Sequence, residues 1–242
     1  MAKQLKTITA GRLVTACLYT VPKYLRTDSP YQRAEKRKIS TAGRTAINNR
    51  TSAQTFEGLV FCNFGPGDLY ITLTYRPDAL PATRREVLRD FKRFRRRLLA
   101  AGWPGPIKYI YVPEHRHGEG RWHLHVILSG SGYSLAISRW DVDQAWNLGG
   151  VDVRSLSACV EDVMGLSGYL TKERPEVGDR GYIPSVGLLR PEVDSRRVPD
   201  RETLDAPPGC WKLGDDSRSN SFGEYRWVKY LLPESGPKPG EN

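Results

Sequence analysis

All four histidines of the chain, His115, His117, His123 and His125, lie between positions 115 and 125. Side chains alternate along an extended strand, so in Arg121-Trp122-His123-Leu124-His125-Val126-Ile127-Leu128 the imidazoles at 123 and 125 share one face. Trp122 and Leu124 then take the other. Two imidazoles on one strand face are suited to holding a divalent metal. Glu114 ends the preceding strand-like run, Ile107–Pro113, where a carboxylate can supply a third donor across a short glycine-bearing turn. Two nitrogens and one oxygen leave positions open for water or a phosphate oxygen, which is a catalytic rather than a closed structural set. Two other readings stand beside it: a hydrogen-bonded surface pair, and a structural zinc held by all four histidines. His115 and His117 sit in a glycine-flanked turn where solvent exposure is expected, so Glu114, His123 and His125 are the preferred ligands. The cysteines (Cys17, Cys62, Cys159, Cys210) are scattered and form no C-x-x-C pair, which argues against a cysteine zinc site or a disulfide scaffold.

A candidate nucleophile follows in Tyr169-Leu170-Thr171-Lys172. Tyr169 and Lys172 are spaced i and i+3, on one face of a helix, and Gly165 opens that face one turn earlier. Tyr169 is the one tyrosine among 12 with a lysine three residues on. A phenol with a pKa of about 10 attacks phosphorus poorly unless activated. A metal on the scissile phosphate draws charge from its oxygens and helps a 3′ oxygen leave, and an ammonium beside the phenol stabilises the phenolate or the transition state. The product is a 5′-phosphotyrosine and a free 3′-OH. Because the phosphodiester energy is kept, the strand can be resealed without ATP.

The elements that position these groups are partly written in the sequence. Leu69–Tyr75 (LYITLTY) is β-branched and aromatic and reads as a strand ended by Arg76-Pro77. Thr83-Arg84-Arg85-Glu86 is a capping box, and the helix after it carries Val87, Phe91, Phe94 and Leu98 as one apolar stripe, stopped by Gly102 and Pro104. Ile107–Pro113 and Arg121–Leu128 form a hairpin. A short helix at Ser138–Trp146, a strand at Val151–Arg154 and a helix over 156–172 with Cys159, Val163, Leu166 and Leu170 buried complete the reading. Strand, helix, strand, strand, helix, strand, helix predicts an α+β sandwich with helices on one face of an antiparallel sheet.

Charge points to the partner. The chain of 242 residues carries 37 basic and 27 acidic side chains, a net +10. Residues 1–50 hold 11 basic and 2 acidic groups, and residues 84–97 hold 8 and 2, so the remainder is net negative. Clustered positive charge attracts a polyanion and releases its counterions. Arg84, Arg85, Arg89, Lys92, Arg93, Arg96 and Arg97 surround the apolar stripe without a periodic reading face, which suits phosphates rather than bases. The alternative is a solvated, solubilising helix face. No apolar run is long enough to cross a bilayer, and the N-terminus has no continuous apolar core or clear cleavage site, so a cytosolic protein is expected.

Three blocks, Y-I-T-L-T-Y at 70–75, E…R-W-H-L-H-V-I-L at 114–128 and Y-L-T-K at 169–172, occur in the order seen in HUH-type rolling-circle replication initiators. The chain resembles the group found in small single-stranded DNA phages and related plasmids. Trp146 to Gly150 with Val151-Asp152-Val153, and Leu188-Leu189-Arg190-Pro191, extend the likeness over about residues 58–192. The resemblance implies a ferredoxin-like split βαβ sheet with the H-x-H on a central strand. It also implies Glu114, His123 and His125 as Mg²⁺ or Mn²⁺ ligands, Tyr169 as nucleophile and Lys172 as its helper. Glu173 follows the lysine where the family commonly has an aromatic. Only one tyrosine fits the nucleophile position, so resealing needs a second protomer, and hence an oligomer, or a second event on the same one.

The expectation is therefore a site-specific single-strand DNA endonuclease and strand transferase that starts rolling-circle replication in the cytoplasm of a bacterial host. Its partners would be single-stranded DNA or an origin hairpin. No G-x-x-x-x-G-K-[ST] motif is present, so unwinding and synthesis would fall to a host helicase and polymerase. The division expected is a basic region 1–55, an endonuclease domain 56–192, an extension 193–232 of unassigned fold and a disordered tail 233–242. Single-tyrosine transposases and plasmid relaxases share the chemistry. Relaxases usually place the tyrosine before the histidines, and such transposases are generally shorter and lack the long basic N-terminal region. From another class, a non-catalytic module could bind single strands on an aromatic-bearing sheet.

Overall fold

A computed structural model describes residues 3–21, 42–103, 105–115, 121–129, 139–156, 167, 181–221 and 223–233. The described chain is α+β, with two five-stranded antiparallel sheets and three helices. It divides into two units, 42–189 and a second made of 1–41 with 190–242.

The unit 42–189 contains α1 (Ala42–Asn63), β3 (Leu69–Thr74), α2 (Arg84–Ala100), β4 (Tyr109–Glu114), β5 (His123–Leu128), α3 (Arg139–Trp146), β6 (Val151–Ser155) and β7 (Ile183–Pro184). Its sheet runs β6-β3-β5-β4-β7. The crossover β3-α2-β4 therefore leaves room for β5 between its strands, and β5-α3-β6 leaves room for β3. These are the two interlocked split βαβ units expected of a ferredoxin-like sheet, and β5 is its middle strand.

The helix α2 begins where the sequence sets it. The Thr83 side chain accepts from the Glu86 backbone N–H, and the Glu86 carboxylate accepts from the Ala82 and Thr83 N–H groups at 2.8 and 3.1 Å. Its stripe Val87, Phe91, Phe94 and Leu98 is at most 2% exposed. The stripe meets Ile71, Leu73, Leu124 and Val126 of the sheet, and Val142 and Trp146 of α3. Phe91 stacks on Tyr111 with centroids 3.8 Å apart, and Trp146 packs edge-on against Tyr75 and Phe94.

The expected helices on one face account for α2 and α3. The structure adds α1 on the opposite face, where Phe56, Leu59 and Val60 pack on Ile110, Val112 and Ile127. The physical reason is that β4 and β5 are apolar on both faces at these positions, and the second face also needs cover.

The other unit joins both ends of the chain, which the sequence left unassigned. Its sheet runs β8-β1-β2-β10-β9, formed by β1 (Lys3–Ala10), β2 (Leu13–Thr20), β8 (Glu192–Val198), β9 (Trp211–Asn220) and β10 (Gly223–Leu231). Among the described residues, no helix is long and apolar enough to cross a membrane.

Candidate active site

The candidate site is set by register. Glu114 stands opposite His123, and Val112 opposite His125, across the β4–β5 ladder. Opposed residues share a face, so Glu114, His123 and His125 all lie on the α1 side of the sheet. The Glu114 carboxylate reaches His125 Nε2 at 2.6 Å, with both side chains largely withdrawn from water, 8% and 13% exposed. A carboxylate at that depth requires a partner, and the imidazole supplies one. His123 lies on the same face at the next position along the strand. Among the described residues, no three His, Cys, Asp or Glu side chains converge as a metal centre, so the arrangement brings together two of the three expected ligands.

Tyr70 is the residue the sequence reading missed. On the neighbouring strand Thr72 opposes His125 and Thr74 opposes His123, which places Tyr70 diagonally from His125 on the same face. Its hydroxyl lies 2.7 Å from His125 Nδ1, and the two rings are parallel within 4°. The signal was present: Tyr70 is two residues from the position that faces the histidine, within reach of a long side chain. Both nitrogens of His125 thus have oxygen partners, Tyr70 on Nδ1 and Glu114 on Nε2.

The donor types, two imidazoles and a carboxylate on one face of the sheet, are ones a divalent cation accepts, and His125 is backed through its second nitrogen. Metal-binding histidines characteristically hydrogen-bond through that other nitrogen. His115 instead packs its ring against Trp122 with centroids 4.4 Å apart, and His117 lies outside the described residues.

Tyr169 and Lys172 also lie outside the described residues, as does most of the helix expected over 156–172. Ser167, two residues before the tyrosine, is described. It is helical and buried, and its hydroxyl donates to Glu57 Oε1 at 2.7 Å. Glu57 is a buried residue of α1, the helix that covers the histidine side of the sheet. Two other tyrosines are disqualified as nucleophiles. Tyr75 and Tyr111 are each 3% exposed. Burial and the neighbouring Asp90 carboxylate hold the Tyr75 phenol far above its ordinary value, and burial pushes Tyr111 up to about 12.

The arginine helix stands on the other side of the sheet from the histidines. Arg85, Arg89, Lys92, Arg93, Arg96 and Arg97 are exposed, and Arg84 is half-buried. Some of these charges have local duties. Arg97 reaches the end of α3, donating to the Ala145 carbonyl at 3.2 Å and to Asn147 Oδ1 at 2.5 Å, and Arg93 pairs with Asp90 at 3.3 Å.

The Trp146–Gly150 stretch fixes the end of β3. Trp146 Nε1 donates to the Thr74 carbonyl at 2.8 Å, and Gly149 lies so close that a Cβ there would be 2.1 Å from that oxygen. Downstream, the Asn63 side chain holds the backbone of Leu189 through both its N–H and its carbonyl, at 2.8 Å each.

Comparison with known proteins is consistent with this geometry. Residues 68–174 match a family model of replication-associated proteins, the ORF2 type, consistent with a rolling-circle replication initiator. The matched stretch runs from β3 past Lys172 and contains Glu114, His123, His125 and Tyr169. No curated protein and no solved structure matches the chain.

Proposed function

We propose that this replication-associated protein initiates replication by nicking single-stranded DNA, using Tyr169 as nucleophile beside the Glu114–His123–His125 face. The observation that carries the proposal is the Glu114–His125 pair at 2.6 Å, with His123 on the same face of the middle strand, inside the family-matched segment. Ser167, two residues before Tyr169 in the sequence, supports it by its bond to Glu57 of α1, on the histidine side.

Glu114, His123 and His125 would hold a Mg²⁺ or Mn²⁺ ion, which supplies Lewis-acid withdrawal of charge from the scissile phosphate and its leaving 3′ oxygen. Tyr70 orients the His125 ring by occupying Nδ1, so that Nε2, the nitrogen that meets Glu114, would be the one to hold the ion. The Tyr169 oxygen attacks phosphorus and the bond to the 3′ oxygen breaks. The phenol proton passes to solvent and the 3′ oxygen takes one up, giving a 5′-phosphotyrosine and a free 3′-OH. Lys172 offsets the negative charge that builds between the attacking and leaving oxygens. Resealing is the same step run backward by the 3′-OH. The exposed basic groups of α2 hold phosphates of flanking DNA without reading bases.

A second reading has an observation of its own: His125 is already satisfied on both nitrogens by Tyr70 and Glu114, as it would be in a non-catalytic single-strand-binding protein. His123→Ala separates the two. The nuclease reading expects strand cleavage to be lost while salt-dependent DNA binding stays near wild type. Binding that falls together with metal affinity would make the histidines structural and overturn the catalytic assignment.

A further inference from the structure

The sheet built from the two ends of the chain lies outside the family-matched residues, and its two faces differ in chemistry. Register assigns every strand residue to a face. On one face Leu5, Val14, Ala16, Val228 and Tyr230 are packed with Leu204, Ala206 and Cys210 of the connection between β8 and β9. The acidic residues Glu192, Asp194, Asp215 and Glu224 share that face, opposing Thr9, Thr7, Val228 and Ser219, and the basic Lys3, Arg196, Lys212 and Arg226 balance them there.

The other face carries aromatic rings and basic groups. Arg197 opposes Gln4, Gln4 opposes Tyr19, Tyr19 opposes Tyr225 and Tyr225 opposes Arg218. One row across all five strands therefore reads Arg-Gln-Tyr-Tyr-Arg. The next row places Lys6, Cys17 and Trp227 side by side, and Lys229 follows in the third. Contacts within the face agree with the register: the Tyr225 hydroxyl reaches Cys17 Sγ at 3.5 Å, and Gln4 donates to Ser195 at 2.7 Å. Asp216 is the one acidic residue on this face among the described strand residues, and it pairs with Arg218 at 3.1 Å. Tyr225 is 41% exposed and the Arg218 side chain 72%.

We propose that this face binds single-stranded DNA, with bases stacked on Tyr19, Tyr225 and Trp227 and phosphates held by Lys6, Lys229, Arg197 and Arg218. Charge and ring placement carry the choice of occupant. A row of cross-strand aromatics between two arginines offers π surfaces flanked by phosphate partners, which is the combination that single strands require. Neighbouring strands are about 4.8 Å apart, so the row extends roughly 19 Å, the reach of a short run of nucleotides. A duplex keeps its bases stacked inside and cannot use the rings. The face is built from residues of the other unit than Glu114, His123 and His125, and DNA as the polymer rests on the replication reading.

The test uses the full chain and a labelled oligo(dT) strand followed by fluorescence anisotropy at several salt concentrations. Tyr19→Ala with Tyr225→Ala should weaken binding about tenfold or more, and Tyr225→Phe, which keeps the ring, should bind like wild type. Arg197→Gln with Arg218→Gln, both at exposed positions, should lower the slope of log affinity against log salt by about 1.4. Arg196→Gln on the opposite face should not weaken binding as the Arg197/Arg218 pair does. Folding of each variant is checked by thermal denaturation. The proposal is overturned if the arginine pair leaves affinity and slope unchanged. It is also overturned if Arg196→Gln weakens binding as much, or if binding survives loss of the rings but is displaced by an acidic polypeptide. His123→Ala distinguishes the two readings: oligo(dT) binding retained with cleavage lost supports both sites, whereas binding retained with cleavage unaffected overturns the nicking centre alone.

Discussion

Replacing Tyr70 by Phe removes one oxygen and keeps the ring, so it isolates the hydrogen bond to His125 Nδ1. The bond is 2.7 Å long and partly buried, with the rings 6.0 Å apart and parallel, so the packing should survive. A hydrogen bond of this kind contributes about 0.5–1.5 kcal/mol net. Loss of a partner behind a metal-binding histidine lowers metal affinity about 10–100-fold. Tenfold corresponds to about 1.4 kcal/mol, at the top of the hydrogen-bond range, so the lower end of that span is the expected effect. Calorimetric titration of the full chain with Mn²⁺ should give a Kd about ten times wild type for Tyr70→Phe, and no measurable binding for His125→Ala. Thermal denaturation in chelator should show both variants folded. An affinity for Tyr70→Phe within twofold of wild type, beside a lost site in His125→Ala, would refute the orienting role. A wild-type chain that binds no Mn²⁺ would refute the metal reading itself.

Thr83→Ala breaks the capping box and should cost about 1 kcal/mol, a fall in Tm of about 2–4 °C by calorimetry. The Glu86 carboxyl in the same box is held below its ordinary range by the backbone N–H groups of Ala82 and Thr83, so its contribution is present above the ordinary carboxylate range and lost as pH falls through the folded value. The deficit of Glu86→Gln should therefore shrink in acid, and a deficit that is constant down to full carboxylate protonation would contradict the role of the carboxylate in the cap. Gly149→Ala puts a methyl against the Thr74 carbonyl and the Arg76 nitrogen, both backbone, at 2.1 and 2.7 Å. Overpacking of this kind costs about 1–3 kcal/mol, and because Thr74 opposes His123, cleavage should fall along with Tm. Wild-type stability in this variant would show that the turn relaxes freely.

The sequence revealed the middle of the fold because its signals there are local. Leu69–Thr74 alternates buried and half-buried positions, and Thr83 to Leu98 carries both a capping box and a stripe at helical spacing. The end strands carry no such signal. Lys3 pairs with Val198, almost the full length of the chain away, and Glu192–Val198 is polar and exposed nearly throughout. A strand of that composition is recognisable only beside its partner. The helix α1 was obscured for a different reason: Glu57, a buried carboxylate, interrupts the apolar positions Phe56, Leu59 and Val60. At the candidate site, His123 and His125 could be placed on one face from alternation alone, whereas the face of Glu114 follows only from the β4–β5 register. That Glu114 meets His125 rather than its register partner His123 depends on side-chain direction, which alternation does not specify. Tyr70 was hidden because a tyrosine in a β-branched run already has a reason to be there.

The most direct test of the central claim is a covalent bond. Single-stranded DNA tiling the sequence that encodes the chain and its flanks, incubated with the full chain and Mn²⁺, would be resolved by denaturing gel and intact mass beside Tyr169→Phe. The account predicts an adduct of protein and a 5′-phosphorylated fragment in wild type and none in Tyr169→Phe. An adduct that persists in the variant would contradict Tyr169 as nucleophile. No adduct in wild type, with tight DNA binding retained, would contradict the nicking reaction.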